Sequence, residues 1–278
     1  LYTDGSGARL PAGAAAGAAD ASLGVPGRPQ SATGHTTLLT GVNAPLVLGQ
    51  HLLGFPNRSL REIIAGRNLF LDLKRLGLRG AYANAYRCAY LDGLELPHVH
   101  AKLPEPPLPV PVSRLRPSAS TAAVASAGGP FHTFDHLREG TALYHDITNA
   151  QPRGVGCEVP RRTPAEAAEI LLDIGGNADA VMFEFFRTDE AGHAQDFEAA
   201  DLALAELDEL LRKVAEGLRD GDGLLVTSDH GNLEDLSTRR HTLAKVPVLG
   251  FGSAAHVAPK IRSLLDVHPA LLRLATAR

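Results

Sequence analysis

Four stretches decide the fold: ADAVMFEFF (178–186), DFEAADLALAELDELLRKVAEGLRD (196–220), LLVTSD (224–229) and VPVLGFG (246–252). The first, third and fourth are apolar runs of strand length, as expected of strands covered on both faces. The second is a helix whose apolar residues at 197, 200, 204, 207, 211, 214 and 218 are expected to form one buried stripe, with Gly221 stopping it. Working back, Thr163-Pro164 with Glu166 marks a helix start: Thr caps, Pro fits the first turn, and the acid meets the positive end of the helix dipole. That helix is expected to run to Ile174, before Gly175-Gly176. Helices are also expected over 31–41, 67–77, 118–127, 133–143 and 261–275, with a strand within 78–86. Seven prolines between 96 and 117 make that segment an extended surface loop. The first 30 residues, rich in Ala, Gly and Pro, are expected to be irregular. Strands alternating with helices predict an α/β sandwich with a largely parallel central sheet.

The chain has 278 residues, 44% hydrophobic and 21% charged, with a net charge of −4. Such a balance excludes intrinsic disorder. A pI near 6.3 offers no electrostatic attraction to nucleic acid or an anionic membrane surface. No run approaches the ~18 apolar residues of a membrane span. The first residues carry Asp4 and no basic stretch ahead of an apolar core, so they do not read as a signal peptide. Cys88 and Cys157 are the only two cysteines, expected as free thiols of a reducing, cytoplasmic setting. No Gly-rich phosphate loop is present, which argues against Rossmann and P-loop chemistry. The 12 histidines stand beside one Met and no Trp, so any bound metal is expected on His and carboxylate rather than thiolate.

Potential metal ligands adjoin three of the predicted strands, two sets just after a strand, where α/β sheets bind ligands. Asp189 and His193 lie four apart after the first apolar run, and on a helix they share one face. Asp229 and His230 are adjacent at the end of the next, with Gly231 turning the chain away. His241 precedes the last. Carboxylate plus imidazole suits Zn²⁺, Mn²⁺ or similar divalent ions. Each alone has a plainer alternative: a solvated helix face, an N-cap, a lone histidine. Ser31, ahead of Gly34 and His35, stands at a predicted helix N-terminus that favours an oxyanion or phosphate; its plainer role is an N-cap. Arg28, Arg87, Arg239, Arg240 and Lys245 are nearby cations, candidates for anion binding or simply solvated charges.

Taken in order, S-x-x-G-H (31–35), D-x-x-x-H (189–193), D-H-G-N (229–232) and H-T (241–242) resemble the metalloenzyme core of the alkaline phosphatase superfamily. Within it the motifs are most similar to cofactor-independent phosphoglycerate mutase and phosphopentomutase, over 31–58 and 178–252. The resemblance implies a three-layer, alkaline-phosphatase-like sandwich holding two divalent ions, Mn or Zn with Mg as a further option. It implies Ser31 as the phosphoryl-accepting nucleophile, Asp189, His193 and His241 at one ion, and Asp229, His230 and Ser31 at the other. His35, Thr36 and Asn232 would orient these ligands. The implied activity is phosphatase or phosphomutase chemistry on a small phosphorylated metabolite. Sulfate ester or phosphodiester hydrolysis and an inactive metal-binding relative are the alternatives. Family members open with a strand ending in Asp-Gly-x-Gly; Asp4-Gly5-Ser6-Gly7 has those letters but only three residues before it, so the first strand and its ligand are expected to be missing. The mutases also carry a large cap. This chain is expected to be one core domain over 1–278 with room for only a small cap insertion within 90–150.

Overall fold

The computed structural model describes residues 10–11, 13–99, 102 and 105–277; Asp4 lies outside them. Among the described residues the strands are β1 (Ala14–Ala19), β2 (Gly80–Tyr82), β3 (Ala85–Tyr86), β4 (His132–Thr133), β5 (Ala180–Met182), β6 (Gly223–Thr227) and β7 (Val246–Gly252). The helices of the first half are α1 (Ser31–Thr40), α2 (Ala44–Leu48), α3 (Arg58–Gly66), α4 (Leu69–Arg75), α5 (Cys88–Gly93) and α6 (Ala119–Ala127). Those of the second are α7 (Phe134–Glu139), α8 (Ala150–Gly154), α9 (Pro164–Gly176), α10 (Arg187–Ala194), α11 (Phe197–Gly217) and α12 (Val267–Thr276).

The α/β class and the layering follow from where alternate side chains of β5 and its continuation go. Ala180 and Met182 pack into clusters built on α4, α6 and α12, whereas Phe183 and Phe185 pack with α9 and α11. Helices therefore cover both faces. The pairing is mixed. β2 runs parallel to β5 and β3 to β4, but β7 lies antiparallel between β1 and β6. Residues 228–245 contain no helix, and without a crossover the chain can only turn back on itself.

Several boundaries differ from expectation for local reasons. The Ala-Gly run at the start is not irregular; it is β1, whose register runs from Ala14 opposite Phe251 to Ala19 opposite Val246. Small residues are required there, because a Cβ on Gly17 would sit 2.6 Å from the Ala258 carbonyl oxygen. The 78–86 strand divides into β2 and β3, and the 178–186 run is hydrogen-bonded as strand only over Ala180–Met182. Helix α7 stops at Glu139 because Gly140 turns left-handed (φ 73°). A 3-10 turn (Leu264–Asp266) precedes α12. On α11 the buried positions are Ala200, Ala203, Leu210 and Val214, while Phe197 is 75% and Leu204 49% exposed. The stripe is set by contact with α9, and it is offset from the largest apolar side chains.

Candidate metal centre

The site gathers where β5 and β6 end and α1 begins. α1 is rich in threonine, and Thr36, Thr37 and Thr40 each donate to the carbonyl four residues back, at 2.6, 2.9 and 2.7 Å. Those bonds satisfy hydroxyls that are fully buried. Gly34 lets the helix lie directly on the end of β6, since a Cβ there would be 2.6 Å from the Asp229 carbonyl oxygen. This contact brings Ser31, the first residue of α1, to His230: Oγ and Nε2 are 3.0 Å apart.

His35, one turn along, sits between two carboxylates. Its Nε2 is 2.9 Å from Glu184 Oε1 and its Nδ1 is 3.0 Å from Asp229 Oδ2. Burial by itself would depress the imidazole, but Asp229 and Glu184 together hold it well above its ordinary value. Asp229 is correspondingly low, at about 2: the penalty of burial is outweighed by His35 and His230. Glu184 also accepts from Ser120 Oγ at 2.6 Å and from the Tyr82 hydroxyl. Burial would raise its pKa, yet His35, Ser120 and Tyr82 bring it below the usual carboxylate range. Sequence reading missed Glu184, although a carboxylate enclosed by the apolar residues of 180–186 was the available signal.

On the other side, α10 presents Asp189 and His193 on one face, as their spacing predicts. Gly192 lies beneath Asn232, whose Oδ1 would be 1.9 Å from an added Cβ. This close passage lets Asn232 Nδ2 donate to Asp189 Oδ1 at 2.8 Å. His193 Nδ1 lies 2.8 Å from the Arg239 carbonyl oxygen, and His241 Nδ1 lies 2.9 Å from that of Pro29. A carbonyl only accepts, so both Nδ1 atoms carry a proton and each ring turns its Nε2 inward. The two Nε2 atoms face each other at 3.2 Å. Asp189 approaches them at 3.4 Å (His193) and 3.8 Å (His241).

His230 joins the two sides. Its ring stacks on His241, centroids 3.5 Å apart, and its Nε2 is 3.2 Å from Asp229 Oδ2. Burial, with His241 alongside, keeps it below the ordinary histidine value. Its Nδ1 is buried without a hydrogen-bond partner. Asp189, His230 and His241 offer ligand atoms all within 4.8 Å of one another. Facing Nε2 atoms, a converging carboxylate and an orphaned ring nitrogen make a donor set that fits a divalent cation. All six sequence-derived residues, Ser31, Asp189, His193, Asp229, His230 and His241, lie in this one place. Asp189, His193 and His241, which the resemblance implied for one ion, lie 3.2–3.8 Å from one another, and His230, implied for the other, also comes within 4.8 Å of Asp189 and His241. Arg28, Arg239, Arg240 and Lys245 are exposed, and Arg87 is occupied at the Pro107 carbonyl.

Residues 145–276 match the family described as the Metalloenzyme superfamily. The chain is 35% identical over 126 residues to the 2,3-bisphosphoglycerate-independent phosphoglycerate mutase of Vibrio atlanticus (strain LGP32), covering 42% of this chain and 25% of that protein. It is 37% identical over 125 residues to the mutase of the same name from Aliivibrio fischeri (strain ATCC 700601 / ES114), covering 41% and 24%. The matched stretch thus spans about a quarter of the length of these relatives. Among solved structures, alkaline phosphatase from the Antarctic bacterium TAB5 superposes with a TM-score of 0.51 at 14% identity, over 94% of this chain and 88% of that one. A His 135 Glu mutant of the TAB5 enzyme with Mg bound superposes equally well, with the same score and coverage. At that identity the likeness is one of fold.

Proposed function

We propose that this chain, with a C-terminal half matching the Metalloenzyme superfamily, is a metal-dependent phosphoryl-transfer enzyme acting on a small phosphorylated metabolite. The observation that carries this reading is the pair of Nε2 atoms on His193 and His241, facing at 3.2 Å with both Nδ1 protons already committed to carbonyls. A divalent cation between the two nitrogens and Asp189 fits that arrangement. In this reading Asp189, His193 and His241 hold one divalent ion, and Asp229, His230 and Ser31 hold a second. Such ions, when bound, lower the pKa of a coordinated hydroxyl and neutralise charge on a transferring phosphoryl group.

The protein's own groups do the rest. Ser31 Oγ is the nucleophile, held at the start of α1 with its oxygen 3.0 Å from His230 Nε2. The start of α1 directs free backbone N–H groups at an incoming anion. Asn232 and His35 fix the rotamers of Asp189 and Asp229, so that little reorganisation accompanies reaction. We favour hydrolysis over mutase chemistry, because the segment 90–150 is short for a cap that would retain a phosphorylated intermediate. The test combines metal analysis with a panel of phosphomonoesters assayed with Mn²⁺ or Zn²⁺. The reading expects bound divalent ion and turnover that disappears on chelation. A chain that takes up no ion after incubation with either metal overturns it.

A further inference from the structure

α10 and α11 are joined by only two residues. Gln195 ends the first helix in the left-handed region, at φ 58° and ψ 36°. Asp196 caps the second by accepting from the Ala199 N–H at 3.0 Å. Two backbone bonds close the joint, from the Gln195 N–H to the Gly192 carbonyl and from the Asp196 N–H to that of Ala191, each at 3.1 Å. This closure needs a left-handed residue, a conformation that glycine adopts without penalty. Four other helices end in the same region, α1, α2, α6 and α7, and all four do so on glycine. At α10 the chain places a glutamine, whose Cβ crowds the following carbonyl, in an exposed position where apolar burial does not offset the strain.

What the glutamine adds is its side chain. Its Nε2 donates to the Leu236 carbonyl and its Oε1 accepts from Arg239 Nε, both at 3.1 Å. Residues 236–240 form no helix or strand and are half-buried or exposed. Among the described residues, every hydrogen bond that ties them to the protein outside 231–242 ends on Gln195 or His193. This segment carries the Arg239 carbonyl, 2.8 Å from His193 Nδ1, the contact that turns His193 Nε2 toward His241. The other end of the loop is closed separately, by the Thr242 N–H donating to the Gly231 carbonyl at 3.0 Å and by the Thr242 hydroxyl donating to Glu234. We infer that Gln195 is a positioning residue for His193: its side chain holds the Arg239 carbonyl in place, and that carbonyl orients the imidazole. The strained backbone persists because the side chain is needed there. That this orientation serves a metal ion rests on the reading of His193 as a ligand given above.

The test compares the full chain with its Gln195→Gly and Arg239→Ala variants. Gln195→Gly relieves the backbone and removes the tie, so the urea midpoint without metal is expected at or above that of the parent. Zn²⁺ affinity, measured by calorimetry, is expected to fall about tenfold, the lower end of what the outer partner of a ligand is worth. Arg239→Ala cuts one of the same bonds but keeps the carbonyl; it too is expected to weaken Zn²⁺ binding, and the double variant to bind no more weakly than Gln195→Gly alone. A residue that served only the fold would move midpoint and affinity down together. Without metal, at alkaline pH where imidazoles are neutral, proton–nitrogen correlation spectra are expected to show one Nδ1-protonated tautomer of His193 in the parent and a mixture in Gln195→Gly. Unweakened Zn²⁺ affinity in Gln195→Gly, affinity and midpoint falling together, or the same single tautomer in both proteins overturns the inference. A parent chain that binds no Zn²⁺ would overturn the ligand reading instead, and the spectra would then decide alone whether Gln195 positions His193.

Discussion

The two sides of the metal centre solve opposite electrostatic problems. On the α1 side, Asp229 and Glu184 are 13% and 9% exposed and share His35 between them. The two carboxylates are held by one imidazole that both of them charge, so that side is assembled before any ion arrives. On the α10 side, Asp189 and His193 are both 43% exposed, and two imidazole Nε2 atoms oppose one another. That side is left in want of a cation. One half supplies rigidity and the other affinity, and substitutions should separate the two.

The largest effect expected is on turnover. Ser31→Ala should reduce phosphomonoester hydrolysis on the order of 10³-fold or more, as removal of a nucleophile does, with metal content close to that of the parent. Retention of parental turnover would remove Ser31 from the chemistry. His241→Ala deletes one of the facing nitrogens, and metal affinity measured by calorimetry should fall by more than about 100-fold, since even a ligand's outer partner is worth about 10–100-fold.

Glu184→Gln strikes the other half. It leaves His35 with one carboxylate instead of two inside the protein, and stability in the absence of metal should drop by about 1–3 kcal/mol, read from urea unfolding. If this variant lost metal affinity but no stability, the division of labour would be wrong. The smallest effect is that of pH on the metal-free protein. Asp229 is lowered in the folded state to about 2, so its contribution is complete above the ordinary carboxylate value near 4 and fades as pH falls toward 2. His35 is raised, so its contribution is complete below about 6.5 and is lost as pH climbs through its higher folded value. The urea midpoint should therefore decline at both ends, and Glu184→Gln should bring the alkaline decline to lower pH.

How legible these features were depended on how local their causes are. The start of α9 was readable because its cap is self-contained: Thr163 and Glu166 satisfy each other's backbone N–H within four residues. The six residues that gather at the centre were readable as candidate ligands because residue type and spacing constrain metal chemistry. β1 was not, since Ala and Gly have low strand propensity and are used there only because residues 258–260 press against them. Glu184 was hidden in an apolar run, its three side-chain partners coming from residues 35, 82 and 120. Nor could the histidine tautomers be read. They are set by carbonyls 46 and 212 positions away.

Those separations have a consequence for how the protein is made. Ser31 meets His230 across 199 positions, and His241 meets Pro29 across 212. During synthesis Ser31 emerges well before His230 and His241, so the centre closes only after the segment between them has been made. A prematurely terminated or clipped product would carry Ser31 without the histidines around it. Such fragments would lack the centre, and whatever chemistry it carries would appear only in molecules translated through His241.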